Sequence, residues 1–260
     1  MSPEGLAHSR CSAFSRCLET IDVLVIAGGL GTRIAPLLGD TPKILAPIAG
    51  RPYLAYLLDW LRRFGARRVV LGLGHRAQAV IEYLDFNKDV YNDMLVVPLV
   101  EPKPLGTAGA VRFARRELRT DPVLLMNGDS FAAADLCQFL DYHRAAKAEA
   151  TLLCAEITDA GRYGRIELDG QGRIESFIEK DPQFRGGGIV NAGVYAFSAA
   201  FLDYIAAGSA SSLERDVFER APKQSLAAQV GGFAFIDIGT PESLALAEQV
   251  IGPHHSVCPP

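Results

Sequence analysis

The stretch DVLVIAGGLGTR, residues 22–33, joins a short apolar run directly to a glycine-rich loop. The run Asp22–Ala27 is typical of a short buried strand. Glycines directly after such a strand let backbone N–H groups approach phosphate oxygens closely. Arg33 adds a planar guanidinium that can bind two phosphate oxygens at once. The stretch therefore predicts a phosphate-binding loop, although a tight structural turn would use the same glycines.

Two other phosphate-binding loops fit this stretch poorly. The dehydrogenase fingerprint G-x-G-x-x-G, set on Gly29 and Gly31, requires a third glycine where Ile34 stands. The acidic ribose-binding residue expected about 20 residues further on is also absent. The Walker loop requires G-K-[ST], which the stretch lacks. We therefore expect a nucleotide-binding loop of another kind.

Short apolar runs alternate with amphipathic stretches over the first half of the chain, which indicates βαβ units. The predicted strands there are Asp22–Ala27, Arg68–Leu73, Leu95–Val100, Pro122–Met126 and Ala150–Glu156. The predicted helices are Arg51–Phe64, Arg76–Leu84, Thr107–Glu117 and Ala134–Ala145. The second half predicts a hairpin of Gly164–Leu168 and Arg173–Glu179, a strand Ile189–Phe197, two helices and a strand Gln229–Ile236. The fold class is therefore α/β, a Rossmann-like three-layer α/β/α arrangement around a mixed, mostly parallel sheet.

Charge, hydropathy and cysteine content limit the function classes. The formal net charge of −4 argues against a nucleic-acid binder, which needs a basic face. The sequence has no run of 18 apolar residues and no signal-peptide pattern, so we expect neither a membrane span nor secretion. The five cysteines are odd in number and form no C-x-x-C pair. They predict neither a disulfide framework nor a zinc site, and the expected compartment is the cytoplasm.

Thr41-Pro42-Lys43 follows the glycine-rich loop, and the combination of G-G-x-G-T-R with P-K resembles the sugar nucleotidyltransferases, or NDP-sugar pyrophosphorylases. Within that family, residues 28–54, GGLGTRIAPLLGDTPKILAPIAGRPYL, are most similar to the D-glycero-D-manno-heptose 1-phosphate guanylyltransferases. Later segments match the family in order, so that the resemblance covers Asp22–Val250. One departure is Ile34-Ala35-Pro36, where many relatives carry an Arg-Pro or similar pair. A phosphate contact from a second arginine is therefore not expected.

The resemblance implies a glycosyltransferase-A-like nucleotidyltransferase fold with roles for particular residues. It implies a catalytic set of Arg33, Lys43 and Asp129, and a Mg²⁺ ion held by Asp129 and Asp237. The nucleotide-binding residues that it implies are Ile26, Ala27, Gly28, Gly29, Gly31, Thr32, Arg33, Lys43, Glu101, Gly106, Thr107, Asn127 and Gly128. The sugar-phosphate-binding residues that it implies are Tyr163, Gly164, Glu179, Lys180, Asn191 and Ala192.

The same resemblance divides the chain. Residues 1–21 are expected to be an N-terminal extension, 22–251 a single nucleotidyltransferase domain, and 252–260 a flexible tail. Within the domain, 22–156 form the nucleotide-binding half and 157–251 the sugar-phosphate-binding half. The expected partners are a nucleoside triphosphate and a sugar 1-phosphate, with no nucleic acid and no membrane, and a homodimer is one option for the assembly. The product would be an activated sugar for a surface glycan such as lipopolysaccharide, capsule or S-layer.

Physical chemistry supports these roles independently. Nucleotidyl transfer is an in-line attack of one phosphate on another, so both reactants are anionic and cations lower the barrier. A phosphate monoester is already a nucleophile, which agrees with the lack of histidine in the motifs. Asp129 and Asp237 offer the hard oxygen ligands that Mg²⁺ prefers. Alternatively, Asp129 is a turn residue in Asn-Gly-Asp and Asp237 a helix cap, although Thr240 already serves as a cap.

Glu101 stands in the loop E-P-K-P-L-G-T-A, residues 101–108, where thymidylyl-transferring relatives tend to carry Gln. A carboxylate only accepts hydrogen bonds, and guanine offers two adjacent donors, N1–H and the N2 amino group. Such charge-assisted bonds are worth roughly 1.5–3 kcal/mol, which favours GTP by about 10- to 100-fold. Glu101 could instead face solvent or support the loop, and some uridylyl-transferring relatives also carry Glu here.

The expected reaction is therefore GTP plus D-glycero-D-manno-heptose 1-phosphate giving GDP-heptose and pyrophosphate. One alternative is a uridylyl- or thymidylyltransferase acting on a hexose 1-phosphate. Another is a nucleotide-sugar-binding module that keeps the fold without catalysis. A silent module would be expected to lose the metal-binding aspartates or the Arg33 and Lys43 pair, and all four residues are present.

Overall fold

The computed structural model describes residues 16–29, 31–178, 181 and 183–254, along which strands and helices alternate. The strands are β1 (Val23–Ala27), β2 (Pro47–Ile48), β3 (Arg51–Pro52), β4 (Arg68–Leu73), β5 (Leu95–Val100), β6 (Val123–Asn127), β7 (Ser130–Ala132), β8 (Ala150–Ile157), β9 (Arg165–Leu168), β10 (Ile174–Ile178), β11 (Gly188–Phe197), β12 (Leu226–Gly231) and β13 (Phe235–Asp237). The helices are α1 (Ala35–Leu38), α2 (Tyr53–Arg63), α3 (Ala77–Phe86), α4 (Gly106–Ala114), α5 (Leu136–Ala146), α6 (Ala199–Ala207) and α7 (Pro241–Ile251). Turns of 3₁₀-helix lie at Lys43–Leu45, Arg115–Glu117, Lys223–Ser225 and Gly252–His254, and a π-helical turn lies at Leu213–Phe218.

A mixed sheet forms the centre of the fold. Its strand order is β10-β9-β11-β6-β1-β4-β5, and β8 pairs with both β11 and β12. The strands β6, β1, β4 and β5 are parallel to one another. In contrast, β11 is antiparallel to β6, β8 and β9. Helices flank this sheet, so the predicted Rossmann-like α/β class is confirmed. Across the described residues, every helix is too short or too polar to span a bilayer.

Alternate residues of β1 are buried on opposite faces of the sheet. Val23 and Val25 belong to one hydrophobic cluster, together with Leu57 of α2. Leu24 belongs to a second cluster, together with Val111 of α4. Successive side chains of a strand point to opposite faces, and helices cover both faces of a parallel sheet. The continuous apolar run in the sequence is therefore the consequence of burial on two sides.

The predicted single strand Gln229–Ile236 is wrong. The chain forms β12, which pairs in parallel with β8, and then β13, which pairs antiparallel with β7 in a separate two-stranded sheet. Gly231-Gly232 falls at the break between the two strands. Apolar residues continue through both strands, so periodicity gives no sign that the chain changes sheets. The consequence for the site is large, because β13 ends at Asp237.

The expectation of no disulfide is also wrong. Cys17 and Cys137 are joined by a disulfide, with Cα atoms 5.4 Å apart and a sequence separation of 120. Leu18 is fully buried beside this bond, and its N–H donates to the Phe64 carbonyl at 3.0 Å. Local spacing rules detect only cysteines that are near in sequence. A disulfide is atypical of a reducing cytoplasm, so cysteine content no longer supports the expected compartment.

The disulfide makes thermal stability depend on redox conditions. A cross-link that closes a long loop restricts the unfolded chain and stabilises a domain by roughly 2–4 kcal/mol. We therefore expect dithiothreitol to lower the Tm of the wild type by about 5–15 °C. Calorimetry with and without the reductant measures this difference. The control is a double variant, Cys17→Ser with Cys137→Ser, which should melt near the reduced wild type and ignore the reductant. A wild type with two free thiols at these positions under non-reducing conditions would contradict the assignment.

Candidate functional site

Two loops meet at one edge of the sheet, where β1 and β6 end. These strands are parallel, with Ile26 opposite Asn127, so the chain leaves the sheet side by side in both places. The Gly128 N–H donates to the Ile26 carbonyl at 2.7 Å. A Cβ atom at position 128 would lie 2.8 Å from that oxygen and from the Cβ of Ala27, closer than packed atoms approach. Glycine at this position therefore lets the loop after β1 and the turn carrying Asp129 touch.

A first cleft opens between these loops. Most of its lining belongs to the residues predicted to bind the nucleotide, and these come from two motifs separated by about a hundred residues in the chain. The lining residues are Ile26, Ala27, Gly29, Gly31, Thr32, Arg33, Lys43, Ile44, Gly128, Asp129 and Gly239. The sequence motifs missed Ile44 and Gly239, although each lies within two residues of a predicted site residue. Backbone groups and two cations thus line one concave surface, as phosphate binding requires.

The charged groups of this cleft form a compact cluster. The Lys43 Nζ lies 2.6 Å from Asp129 Oδ2 and 3.9 Å from Asp237 Oδ1. A Cβ atom at Gly239 would lie 3.2 Å from that Nζ and 3.3 Å from Arg33 Nη2. Burial, and then the charge of Asp129, raise the pKa of Asp237, whereas Lys43 lowers it. Two carboxylates and two cations therefore lie within a few ångströms of one another, and electrostatic interactions between them are strong at such distances.

The buried side chain of Tyr53 holds the turn that carries Asp129 in place. Tyr53 opens α2 and is fully buried, and its hydroxyl donates to the Ser130 carbonyl at 2.7 Å. Ser130 follows Asp129 and pairs with Asp237 in the β7–β13 ladder, which brings the two carboxylates together. Burial, and then the charges of both aspartates, raise the pKa of Tyr53 well above its usual value. Its phenol therefore stays neutral and keeps donating.

The carboxylate pair fits a magnesium ion better than a metal held only by protein ligands. Among the residues that the structure describes, no group of three His, Cys, Asp or Glu side chains could hold a metal. Mg²⁺ is commonly bound by one or two carboxylates, with phosphate oxygens and water as its other ligands. Asp237 is not the cap of α7, since Thr240 caps that helix by accepting the Ser243 N–H at 3.3 Å. Asp237 Oδ1 instead accepts from the Gly239 N–H, and a carboxylate has further acceptor positions for a ligand.

A second cleft lies beside the first, and Arg33 borders both. It brings together the predicted sugar-phosphate residues Tyr163, Gly164 and Asn191. Its lining residues are Arg33, Asn127, Ser130, Gly161, Arg162, Tyr163, Gly164, Asn191, Glu214, Phe235, Asp237 and Thr240. Asn127, predicted on the nucleotide side, lies here instead. The sequence motifs missed Arg162, which adjoins Tyr163, and Glu214, which lies in a segment without a recognisable motif.

A hydrogen-bond network fixes the floor of the second cleft. Asn191 Nδ2 donates to Tyr195 Oη at 2.8 Å and to Glu214 Oε1 at 2.9 Å, while Asn191 Oδ1 accepts from the Gly193 N–H at 2.9 Å. Tyr195 is 1% exposed and also bonds Asn127. All these polar groups have partners, so the network is rigid. It presents amide and carboxylate groups to the cleft, which suits a ligand rich in hydroxyl groups.

Five described site residues that the sequence predicts, Gly28, Glu101, Gly106, Thr107 and Ala192, lie outside these two linings. Ala192 is fully buried on β11. Gly106 begins α4, and the Thr107 hydroxyl accepts from the Leu213 N–H at 2.8 Å. Glu179 and Lys180 lie outside the described residues.

Glu101 follows β5 and lies against the glycine-rich loop. A Cβ atom at Gly28 would lie 3.2 Å from the Glu101 carboxylate. The residue is only 8% exposed, so the alternative that it faces solvent is wrong. Its Oε2 accepts from the Leu105 N–H at 3.3 Å, which supports the loop. Burial raises the pKa of Glu101, and the bond from Leu105 lowers it.

Comparison with known proteins agrees with this geometry. The sequence matches the family model described as nucleotidyl transferase over residues 22–252. It is 34% identical to the mannose-1-phosphate guanylyltransferase of Mycobacterium tuberculosis over 85% of this chain and 62% of that protein. It is 29% identical to the D-glycero-alpha-D-manno-heptose 1-phosphate guanylyltransferase of Campylobacter jejuni over 85% of this chain and 96% of that protein. The chain thus spans less than two thirds of the mannose relative and nearly all of the heptose relative.

Solved structures show the same fold. HddC from Yersinia pseudotuberculosis superposes with a TM-score of 0.79 at 30% sequence identity, covering 91% of this chain and all of that one. That protein has also been solved in complex with GMP-PN. A protein of Bacillus anthracis described as a possible glucose-1-phosphate thymidylyltransferase shares the fold at 19% identity, with a TM-score of 0.73 over 89% of this chain and 95% of that one. The family resemblance found in the sequence is confirmed.

The raised pKa of Asp237 leads to a prediction about stability. The folded protein binds this proton more tightly than the unfolded chain does. Stability therefore falls as the pH rises through the folded pKa, and at neutral pH the ionised carboxylate is destabilising. We expect Asp237→Asn to raise the Tm of the substrate-free protein by about 1–3 °C at pH 7, and to have no such effect at pH 3.

The matched control is Asp216→Asn. Hydrogen bonds from the Ser212 and Ser211 N–H groups lower the pKa of Asp216, so its ionised form is favoured by folding. This variant should lower the Tm at neutral pH. Differential scanning calorimetry measures the Tm of both variants. A Tm for Asp237→Asn below that of the wild type at pH 7 would show that the ionised carboxylate does not destabilise the folded protein.

Proposed function

Because the chain belongs to the nucleotidyl transferase family, we propose that it transfers GMP from GTP to a manno-configured sugar 1-phosphate and releases pyrophosphate. The observation that carries the proposal is the junction of the two clefts at Arg33, beside the cluster of Lys43, Asp129 and Asp237. A triphosphate in the first cleft and a sugar phosphate in the second would meet there. Two cations and two carboxylates lie at that point.

The acceptor that we propose is D-glycero-D-manno-heptose 1-phosphate. The heptose guanylyltransferases of Campylobacter jejuni and Aneurinibacillus thermoaerophilus align over 96% and 97% of their length, so the whole of each is comparable with this chain. Mannose 1-phosphate is the second candidate, because the mycobacterial mannose enzyme has the higher identity of 34%. Both acceptors share the manno configuration at the carbons nearest the phosphate. They differ in the length of the sugar chain.

The chemistry follows from the charge arrangement. An oxygen of the sugar phosphate forms a bond to the α-phosphorus of GTP, while the bond from that phosphorus to the oxygen bridging to the β-phosphate breaks. Pyrophosphate leaves with the electron pair. The attacking phosphate is already ionised, so no general base is required. Arg33 and Lys43 hold the phosphates against their mutual repulsion, and such fixed cations need little reorganisation during reaction.

We propose that Asp129 and Asp237 hold Mg²⁺ during turnover. When bound, the ion would neutralise charge that develops on the leaving pyrophosphate. Lys43 has a second task in the protein without substrate, because its ammonium group balances both carboxylates at 2.6 and 3.9 Å. This pairing matters because the two neighbouring carboxylates would repel each other without the charge of Lys43 between them.

The second cleft would orient the sugar. Tyr163, Gly164 and Asn191 line it together with Arg162, whose guanidinium donates to Thr240 Oγ1 at 3.2 Å. Arg162 is suited to an anionic group because it presents several donors in one plane. The assigned roles of Glu179 and Lys180 stay predictions. So do a cytoplasmic location, a homodimer and a surface glycan as the destination of the product.

The proposal is tested by a matrix of GTP, ATP, UTP and dTTP against mannose, glucose and manno-heptose 1-phosphates, with pyrophosphate release as the readout. We expect GTP with the heptose phosphate to give the highest kcat/KM. In Glu101→Gln, the lead of GTP over UTP should shrink by about 10- to 100-fold, since the amide cannot accept from both guanine donors. Asp40→Asn, on the exposed side chain that pairs with Arg76, is the matched control and should leave the preference unchanged. A wild type that prefers UTP or dTTP would overturn the role of Glu101.

The proposed magnesium site is tested separately. We expect EDTA to stop turnover, excess Mg²⁺ to restore it, and Asp129→Asn to lower kcat by about 100-fold or more, since a charge-stabilising group is lost. Circular dichroism and Tm should show a folded variant. Mn²⁺ binding gives a readout without turnover, because electron paramagnetic resonance should detect a bound ion in the wild type with nucleotide and little in the variant. A folded Asp129→Asn protein with full activity would rule out this ligand.

A further inference from the structure

The loop that carries Glu101 leads directly into α4, and the first turn of α4 is hydrogen-bonded to a distant segment, residues 211–214. The Ala108 N–H donates to the Ser211 carbonyl at 2.9 Å. The Leu213 N–H donates to the Thr107 hydroxyl oxygen at 2.8 Å, across 106 residues of sequence. Gly106 has a φ of +74°, and a Cβ atom there would lie 2.4 Å from the Ser211 carbonyl oxygen. The absence of a side chain at Gly106 therefore permits the close approach of the Ser211 carbonyl.

The 211–214 segment is also fixed on its own side. Asp216 Oδ2 accepts from the N–H groups of Ser211 and Ser212 at 3.0 and 2.8 Å. The π-helical turn Leu213–Phe218 follows, and the side chains of Leu213 and Phe218 are buried in the second hydrophobic cluster. Turns of this kind are rare and frequently occur at functional sites. Several contacts thus hold the segment, and the bond to Thr107 is made by the first residue of the π-helical turn.

Glu214 is the polar side chain that this turn delivers to the second cleft. It lines the cleft, and its Oε1 accepts from Asn191 Nδ2 at 2.9 Å. A carboxylate has about four acceptor positions, so one bond leaves others for a ligand. The side chain is exposed, hence those positions face the cleft and solvent. Adjacent hydroxyl groups of a sugar are donors of the right chemistry.

We propose that Glu214 accepts hydrogen bonds from the hydroxyl groups of the sugar. Thr107, in the first turn of α4, is the positioning residue that holds Glu214 in place. The inference rests on the proposed function and assigns Glu214 to binding of the sugar 1-phosphate. Thr107 acts through the Leu213 N–H, immediately before Glu214 in the chain. The Thr107 hydroxyl oxygen therefore supports the segment that lines the second cleft, although Thr107 belongs to the sequence motif predicted to bind the nucleotide. Loss of this oxygen should therefore affect the acceptor and leave GTP binding intact.

The experiment compares Thr107→Val, which removes the hydroxyl at nearly constant shape, with Thr107→Ser, which keeps it. We expect Thr107→Val to raise the KM for the sugar 1-phosphate by about 3- to 10-fold, the effect of one ordinary hydrogen bond. Its KM for GTP should match the wild type, its Tm should fall by only a few degrees because one buried N–H loses its acceptor, and Thr107→Ser should behave as wild type. Glu214→Gln should raise the same KM. Because the two residues act as one unit, adding Thr107→Val to Glu214→Gln should raise it little further.

Other results would overturn the proposal. They are a raised KM for GTP in Thr107→Val, equal defects in the Val and Ser variants, or fully additive effects in the double variant. Calorimetric titration with mannose 1-phosphate separates this inference from the proposed function. If the wild type releases no pyrophosphate, the proposed function fails, and the ratio of Kd values between wild type and Thr107→Val still decides the role of Thr107. Equal Kd values in the two proteins, or no binding to either, would overturn it.

Discussion

The parallel pairing of β1 with β6 is the constraint on which the site depends. It sets Ile26 opposite Asn127 and brings the Gly128 N–H within 2.7 Å of the Ile26 carbonyl. Parallel strands deliver their carboxyl ends to the same edge of a sheet, where ligands bind in open α/β folds. The chain must then turn away immediately after β6, and Asp129 lies in that turn. Lys43 contacts Asp129 at this turn and also contacts Asp237, and Arg33 lines the same cleft.

The charges around Asp129 would be unstable if they were unbalanced. Lys43 is mostly buried and contacts both carboxylates, so removal of the lysine would leave two like charges close together. Burial, and then the charge of Asp129, raise the pKa of Asp237 even with Lys43 present. The ionised form of Asp237 therefore lowers the stability of the fold, and it adds to a high density of charge at the junction of the two clefts. This trade-off is common at sites that stabilise developing charge.

Sequence reasoning found the parts of the site that are continuous in the chain. The glycine-rich loop, Lys43 and Asp129 have a local signature, because backbone approach and strand ends impose residue types at fixed spacing. The disulfide between Cys17 and Cys137 and the separation of β12 from β13 depend on contacts over long sequence distances, and no local pattern encodes them. Glu214 was missed for the same reason. Its importance appears only when the π-helical turn places it against Asn191.

The junction between Thr107 and Leu213 bears on how the two halves of the domain work together. The sequence assigns these two residues to different halves, yet the hydrogen bond at 2.8 Å joins the first turn of α4 to the segment that lines the second cleft. Strand β11 adds a second link, since it pairs with β6 and carries Asn191. The two clefts are therefore built from parts of one packed unit. A reaction between two anions needs this rigidity, because correct relative orientation must be maintained against their repulsion.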